Sequence, residues 1–519
     1  MAVAAFAQPR GTTMRLPLLF LRTIAFAASL LIALSASAKP ADPVDALPYA
    51  FDFYVAGGPD TPMSMLVQND GKVLVVGQCK VASFAYFCIA RMKADWSGLD
   101  DTYDGSSAGD GRIRVAIGPR NDLVVRAALQ RDGKLVLAGT CEVSATTADF
   151  CVVRLNADGT LDTSFTGPSG TADGRFMLPV GTDIDYLTAL VIQPDGKILL
   201  GGTCVESSVK RICVVRLTST GALDTSFDWI GASGGKYSRT YPGGINLGAM
   251  TLYADGTAFL VGQCNSGRIC FESISASGGF FSPTGTLLGN SDYMNTLKLM
   301  RTGRMLMAGY CELGSGALTF CFNTYGNDPD FDGPSGTGNG KFALTLSASD
   351  QLVHLNMLPD GRILASGQCR NAADSNDVAC IAVLNADGSF DKNFDGAGQG
   401  WVRYESGVMF KSNVISTALL PDGKVAVAAQ CAGTGTPPTD VCLFRIQGWP
   451  ALAPMCTMDI DGDGVVNSTT DALLLARVSM GFRGTAVTGG ITFPATATRN
   501  TWPLIRDHLV QRCNMSVLP

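Results

Sequence analysis

Histidine is almost missing from this chain: His354 and His508 are the only two in 519 residues. Neither lies in a cluster with metal-ligand spacing. A Ser–His–acid triad in the main body could draw only on His354, and no serine is marked out as its partner. His354 therefore reads as a packed or surface strand residue. Charge is also sparse, at 16% of residues with a net charge of −6. Lys and Arg are scattered, so no basic stripe exists to neutralise phosphates, and nucleic acid is excluded as a partner. Long apolar runs are lacking as well. Thr23 to Leu34 is an apolar run of 12 residues, too short to span a bilayer, and no later stretch is long enough. No membrane span is expected once the N-terminal segment is removed.

That N-terminal segment has the form of a secretory signal over residues 1–38. Arg15 and Arg22 give the basic flank, Thr23 to Leu34 the apolar run, and Ala36-Ser37-Ala38 the small-residue cleavage pattern. The mature chain is expected to be secreted, periplasmic or cell-surface. Disulfides form and persist there, and the chain has 16 cysteines and 60 glycines.

The cysteines fall in close pairs: Cys79/Cys88, Cys141/Cys151, Cys204/Cys213, Cys264/Cys270, Cys311/Cys321, Cys369/Cys380 and Cys431/Cys442. First members of successive pairs are 62, 63, 60, 47, 58 and 62 residues apart. So regular a period calls for a repeat architecture. A phrase ending in Asp-Gly-Lys or Asp-Gly-Arg precedes several pairs, as in Leu129 to Lys134, Ile192 to Lys197, Leu358 to Arg362 and Leu420 to Lys424. A second phrase follows the pair, as in Arg154 to Asp162 and Leu384 to Asp391. Zinc could use close cysteines, but regular hairpin spacing in an exported chain favours disulfides.

One unit can be read physically. Ala189 to Gln193 is a short apolar strand, and Pro194-Asp195-Gly196 is a turn with Gly in the left-handed position. Lys197 to Cys204 is a second, nearly all-apolar strand. A loop of eight residues leads to Cys213, which opens a third strand through Leu217. A turn at Thr220-Gly221 and a glycine-rich stretch lead to a more polar fourth strand. Four antiparallel strands in about 60 residues make one propeller blade. A string of small sandwiches is the alternative, but each would have a meagre core. The reading is an all-β, seven-bladed propeller over residues 39–448. The seventh unit stops at Gly448, so Ala50 to Ala56 is expected to supply its last strand and close the ring.

These phrases resemble the delta-60 repeat of exported bacterial propeller proteins. Pro194 to Gly202 and Val214 to Phe227 match its pattern best, followed by Leu129 to Phe165, and the resemblance covers Met63 to Ile446. It implies the fold and no settled activity. The added cysteines at the end of the second strand and the start of the third depart from the plain pattern. Units four and five depart most.

After a linker at 449–454 the character changes. Asp459, Asp461, Asp463, the Val465 carbonyl and Asn467 place oxygens at alternate positions, with Gly464 for the sharp turn. That is the opening of a calcium loop. Residues 455–519 thus resemble half of a dockerin, or an isolated EF-hand-like loop, with calcium as its cofactor. The closing carboxylate, Asp471, comes one residue late, at thirteen instead of twelve. No second acidic loop follows in Thr485 to Asn500. Helices are expected at Ala472 to Phe482 and Thr501 to Cys513, the latter with Trp502, Ile505 and Leu509 on one face. Cys456 and Cys513 are the last expected disulfide.

The expected function is binding of an unknown protein or glycan by a monomer. The alternative is a propeller enzyme of the lyase or quinone-dependent dehydrogenase type. The quinone class uses adjacent cysteines or regularly placed tryptophans. Here the closest pair is six apart, and Trp96, Trp229 and Trp401 share no place in the repeat. N-terminal sequencing of exported protein should read Lys39 first; a retained leader would mean a membrane anchor.

Overall fold

The structure, a computed structural model, describes residues 49–509 except 54–59, 104, 106–108, 228–233, 242–243, 254, 265–267, 276–279, 282–291, 314–315, 327, 332, 335–338, 359, 371–376, 395–397, 405–413, 432–439, 447–457, 463–465, 495–496 and 498. Its strands form seven four-stranded antiparallel sheets, the blades of a propeller. Blade two shows the plan: β6 (Asp122–Leu129), β7 (Leu135–Glu142), β8 (Ala148–Leu155) and β9 (Arg175–Leu178) follow one another in space as in sequence. The inner strands of the ring are β2 (Thr61–Val67), β6, β10 (Asp185–Ile192), β14 (Ile245–Leu252), β18 (Asp292–Leu299), β22 (Asp350–Met357) and β26 (Val414–Leu419). Each touches the inner strands on either side, and the circle closes from β26 to β2.

Closure uses the N-terminal strand, as the truncated seventh unit requires. β1 (Tyr49–Phe51) pairs with β28 (Asp440–Ile446), setting Ala50 opposite Cys442. The strand begins one residue before the expected Ala50, and residues 54–56 lie outside the described ones. This pairing joins the two ends of the ring and covers a strand edge that would otherwise be open.

Each apolar cluster of the ring sits between two blades. One joins Val136, Phe150 and Val152 of blade two to Leu187, Ile198 and Leu200 of blade three. Another joins Val425 and Val427 of blade seven to Leu364 and Ile381 of blade six. Second strands are therefore buried on both faces, as in the unbroken buried run Leu135 to Cys141. That is why they read as continuous apolar stretches instead of alternating ones.

Every inner strand carries one bulge. The register skips a residue between Leu187 and Ala189, and at the equivalent place in the other six blades. In six blades the bulge brings a carbonyl so close to the second strand that only hydrogen fits. A Cβ on Gly309 would lie 1.8 Å from the Tyr293 carbonyl oxygen, and one on Gly139 2.1 Å from that of Leu123. Gly77, Gly202, Gly262 and Gly367 meet the same contact; blade seven has Ala429 there.

These glycines also explain the cysteine geometry. The second cysteine of a pair lies opposite the glycine, two residues before the first cysteine, as in Gly202 opposite Cys213. The bond thus runs diagonally across the hairpin at a Cα separation of 5.8 Å. Six pairs are disulfides within a blade: Cys79–Cys88, Cys141–Cys151, Cys204–Cys213, Cys264–Cys270, Cys311–Cys321 and Cys369–Cys380. Cys442 is disulfide-bonded too. The Cys431 side chain lies outside the described residues, as do Cys456 and Cys513.

The place of the second cysteines differs from the sequence expectation. They were expected to open the third strand, and none of them does. Cys151, Cys321 and Cys380 are each the fourth residue of their strand, Cys88 and Cys213 the fifth, and Cys270 and Cys442 the third. The reason is the diagonal bond. A partner for the first cysteine must lie beyond the residue directly opposite it, so the third strand runs on past the second cysteine toward the loop. In blade two Cys141 faces Asp149, and Cys151 faces Gly139. In blade four Cys264 faces Arg268, and Cys270 faces Gly262. In blade five Cys311 faces Thr319, and Cys321 faces Gly309. In blade three the expected eight-residue loop is likewise a continuation of the ladder. β11 (Ile198–Glu206) and β12 (Val209–Leu217) run past both cysteines and join through Ser207 and Ser208, at φ 50° and 65°.

The C-terminal segment has its own small core of Ile460, Leu474, Val478, Val487, Ile505 and Leu509. Its helices are α1 (Asp471–Ser479), α2 (Thr485–Thr488) and α3 (Trp502–Asp507). The first ends earlier than the expected Phe482. Gly481 takes φ 91°, and the Phe482 amide turns back to the Arg477 carbonyl, which terminates the helix.

Gly309→Ala should destabilise the fold by about 1–3 kcal/mol, since the Tyr293 carbonyl must move. Denaturant midpoints would show it, and an unchanged midpoint would contradict the bulge contact. Each blade disulfide closes a short loop worth about 2.5–3 kcal/mol in the chain-entropy model. Non-reducing peptide maps should recover every pair within its own blade.

Candidate functional site

The repeated Asp-Gly phrases are the first place to look for chemistry, and their charges are spent on the fold. In blade two, Arg154 Nε donates to Asp162 Oδ2 at 2.6 Å and Lys134 Nζ lies 2.8 Å from the same oxygen. The guanidinium lies 4.4 Å from the Phe165 ring centroid and donates to the Ser219 carbonyl of blade three. Blade one repeats this with Arg91, Lys72, Asp100 and Tyr103, Arg91 reaching the Ala157 carbonyl of blade two. Blade three repeats it with Arg216, Lys197, Asp224 and Phe227. The phrase is thus a clasp. Its arginine fixes the acid and, in blades one and two, holds the next blade.

Blades five and six keep one cation. There Thr324 and Val383 occupy the strand position of Arg154, and an arginine replaces the turn lysine. Arg304 pairs with Asp328 at 3.1 Å and Arg362 with Asp391 at 2.5 Å. Blade four has neither partner among the described residues. Its third strand instead carries the fully buried Glu272, which accepts from Tyr237 and Tyr241 hydroxyls and pairs with Arg239 at 3.2 Å. Sequence reading of the degenerate units missed Glu272, because its three partners come from blade three and its flank.

Burial pushes the clasp carboxyls up, but hydrogen bonds outweigh it. Thr102 and Lys72 hold Asp100, and Lys134 and Ser164 hold Asp162, well below the usual carboxylate range. Asp224 is held down to about 2 by Ser226, Lys197 and Arg216.

A second site is the central channel, a cavity of about 660 Å³ lined by all seven inner strands. Among the described lining residues the charged ones are Arg126 on β6 and Lys298 on β18, with no Asp or Glu. His354 on β22 lines it too, in the strand expected for it. Its Nδ1 accepts from the Thr417 amide at 3.3 Å, which leaves the proton on Nε2. Burial, with Lys298 and Arg126 adding to it, pushes the imidazole pKa down to about 3, so the ring is neutral near pH 7. His508 is buried in the C-terminal segment.

The third site is the acidic loop. Asp459, Asp461 and Asp471 bring carboxylate oxygens within 4.8 Å of one another, the one group of potential metal-binding residues among those described. Asp471 Oδ1 accepts from the amides of Ile460 (2.5 Å) and Asp461 (3.0 Å), and Oδ2 from Asn467 (2.9 Å). The late carboxylate is thus folded back onto the loop. Asn467 Oδ1 is engaged with the Thr469 and Thr470 amides at the start of α1. Asp463 and Val465 lie outside the described residues. Arg499 lies 3.9 Å from Asp459 Oδ1 and donates to the Ile460 carbonyl, so one cation already sits at the edge of the cluster. Three carboxylates this close call for more positive charge than one, and the donor set suits a hard divalent ion.

Fold and sites define a disulfide-tied propeller repeat protein. The family model described as "Domain of unknown function (DUF5122) beta-propeller" matches residues 130–165, 193–227 and 358–394. No curated protein matches the chain. Among solved structures, it is similar to virginiamycin B lyase from Staphylococcus aureus, at 10% identity and TM-score 0.44, covering 77% of this chain and 99% of that one. A polysaccharide lyase, an ulvan lyase, shows 10% identity and TM-score 0.45, covering 77% and 96%. A protein of unknown function from Dyadobacter fermentans shows 14% identity and TM-score 0.38, covering 62% and 93%. At such identities these likenesses carry nothing about activity. No helix among the described residues is long and apolar enough to cross a membrane.

Asp162→Asn strips the counter-charge from a buried arginine and should cost about 3 kcal/mol, read as a shift in denaturant midpoint. The depressed clasp carboxyls make a second prediction. Their stabilisation is complete above the unfolded carboxylate pKa of about 4 and is lost as pH falls through the folded values, about 2 for Asp224 and lower still for Asp100 and Asp162. Wild type should weaken steeply between pH 4 and 2, and Asp224→Asn should flatten that slope. An unchanged acid limb would remove the clasps from the account.

Proposed function

We propose that the chain is an exported, monomeric, non-catalytic binding protein. Residues 1–38 are its signal, 39–448 the propeller, 449–454 a linker and 455–519 a dockerin-like or EF-hand-like module stabilised by calcium. One observation carries the binding reading. The channel offers fixed hydrogen-bond donors, while its described lining holds no carboxylate or thiol and its one imidazole is neutral and tied to Thr417. Acid–base or nucleophilic catalysis needs converging groups of matched pKa. The repeated acids that could have served are engaged in clasps. Rigid blades holding loops in place suit recognition of a protein or glycan.

In the C-terminal module, Asp459, Asp461 and Asp471 would hold calcium, with Asp463 and the Val465 carbonyl as further donors. The ion would neutralise their repulsion and fasten the loop to α1.

Calcium titration into the mature chain should release saturable heat, and Asp461→Ala should abolish it. No heat at millimolar calcium would sink the metal reading. The function is tested by glycan-array and supernatant pull-down binding, run beside a hydrolase and lyase screen. Ligand capture without turnover is expected. Robust turnover, lost on changing one channel residue, would establish the enzyme alternative.

A further inference from the structure

Arg126 and Lys298 differ from every other strand cation described above. The clasp cations each meet a carboxylate; these two meet none among the described residues. Lys298 makes no hydrogen bond or ion pair with any described residue. The Arg126 guanidinium donates once, to the Val125 carbonyl at 2.9 Å, leaving most of its five N–H groups for other acceptors. Both side chains are half-buried in the channel wall. Burial depresses the lysine pKa, and Arg126 depresses it further, with no carboxylate acting the other way. Two like charges in a partly dry cavity oppose folding.

The repeat makes both residues exceptions. Counting from the inner-strand bulge, the next position is Ser64, Arg126, Ala189, Ala249, Thr296, His354 and Ser416 in blades one to seven. Two residues further on come Leu66, Ala128, Val191, Thr251, Lys298, Asn356 and Ala418. Apart from His354 and Asn356 of blade six, both positions carry small hydroxyl or apolar side chains; the guanidinium of blade two interrupts the first and the ammonium of blade five the second. Blades three and four separate them on one side, and blades six, seven and one on the other. The two charges therefore stand on nearly opposite walls. The neutral His354 is close enough to Lys298 to feel its charge, and its Nε2–H is a further donor on the channel wall.

We propose that the central channel binds a small oxyanion of charge −2, clamped between Arg126 and Lys298. An anion there supplies the missing counter-charge to both walls at once. The fork of the guanidinium suits two oxygens, and the ammonium suits a third. A phosphate group and a short dicarboxylate share this chemistry. The clamp rests on the binding reading above and names the ligand class for it.

Isothermal titration of the mature chain at low salt, with inorganic phosphate and with succinate, tests the clamp. At least one should bind saturably and raise the melting temperature. Phosphate alone would define a compact single oxyanion, and succinate alone a longer dianion spanning the walls. Arg126→Gln and Lys298→Met should each weaken binding about tenfold or more, and the double variant should abolish it. Without ligand, the double variant should melt no lower than wild type, because a repulsion has been removed; this separates lost binding from lost fold. No saturable binding of either anion, or equal binding by a folded double variant, would overturn the clamp. Glycan or protein capture that survives in the double variant, without anion binding, would overturn the clamp and leave the binding reading standing. Anion binding accompanied by turnover in the enzyme screen would do the reverse.

Discussion

One extra residue in each inner strand governs the ring. The bulge drives a carbonyl against the second strand, as Tyr293 does over Gly309, and so demands glycine in six blades. Opposite that glycine sits the second cysteine, which sets the diagonal path of the disulfide. The residue before the first cysteine then reaches the next blade: Thr140 accepts from the Leu187 amide, and Thr203 from the Leu247 amide. Asn295, itself a bulge residue, donates to the Leu352 carbonyl. Bulges re-aim side chains and increase local twist, and here they aim them into the channel.

The clasps act at a different place in each blade. Buried ion pairs are weak evidence for stability when isolated. Here the arginine also packs on an aromatic ring and, in blades one and two, holds a carbonyl of the neighbouring blade. Removing one partner therefore disturbs an interface as well as a pair. Blade four lacks the clasp among its described residues, and the network around Glu272 joins it to blade three.

Much of this was legible because the repeat is short-range. The cysteine period and the Asp-Gly turns specify a hairpin within about 20 residues, and seven hairpins of one kind leave little choice of architecture. Circular closure followed from the missing strand in unit seven. The diagonal cysteine register was not legible, since it depends on a bulge with no residue signature of its own. For the same reason Cys151, Cys270 and Cys321 read as strand openers when they lie inside their strands. Glu272 was missed because its partners Tyr237, Arg239 and Tyr241 lie more than 30 residues away. Arg126 could have been found: aligning Leu129-Gln130 with Ile192-Gln193 sets it against Ala189. A cation against an alanine in a buried strand is the signal. Lys298 lies in a degenerate unit, where Thr302 replaces the turn aspartate and weakens that alignment.

The ring thus separates two uses of charge. Clasp cations meet aspartates; channel cations meet none among the described residues and face a cavity. The most direct test is a crystal structure of the mature chain grown in selenate, a dianion with strong anomalous scattering. An anomalous peak within hydrogen-bond distance of both Arg126 and Lys298 is the predicted result. A carboxylate of the chain itself paired with Lys298, and a channel holding only water, would contradict it.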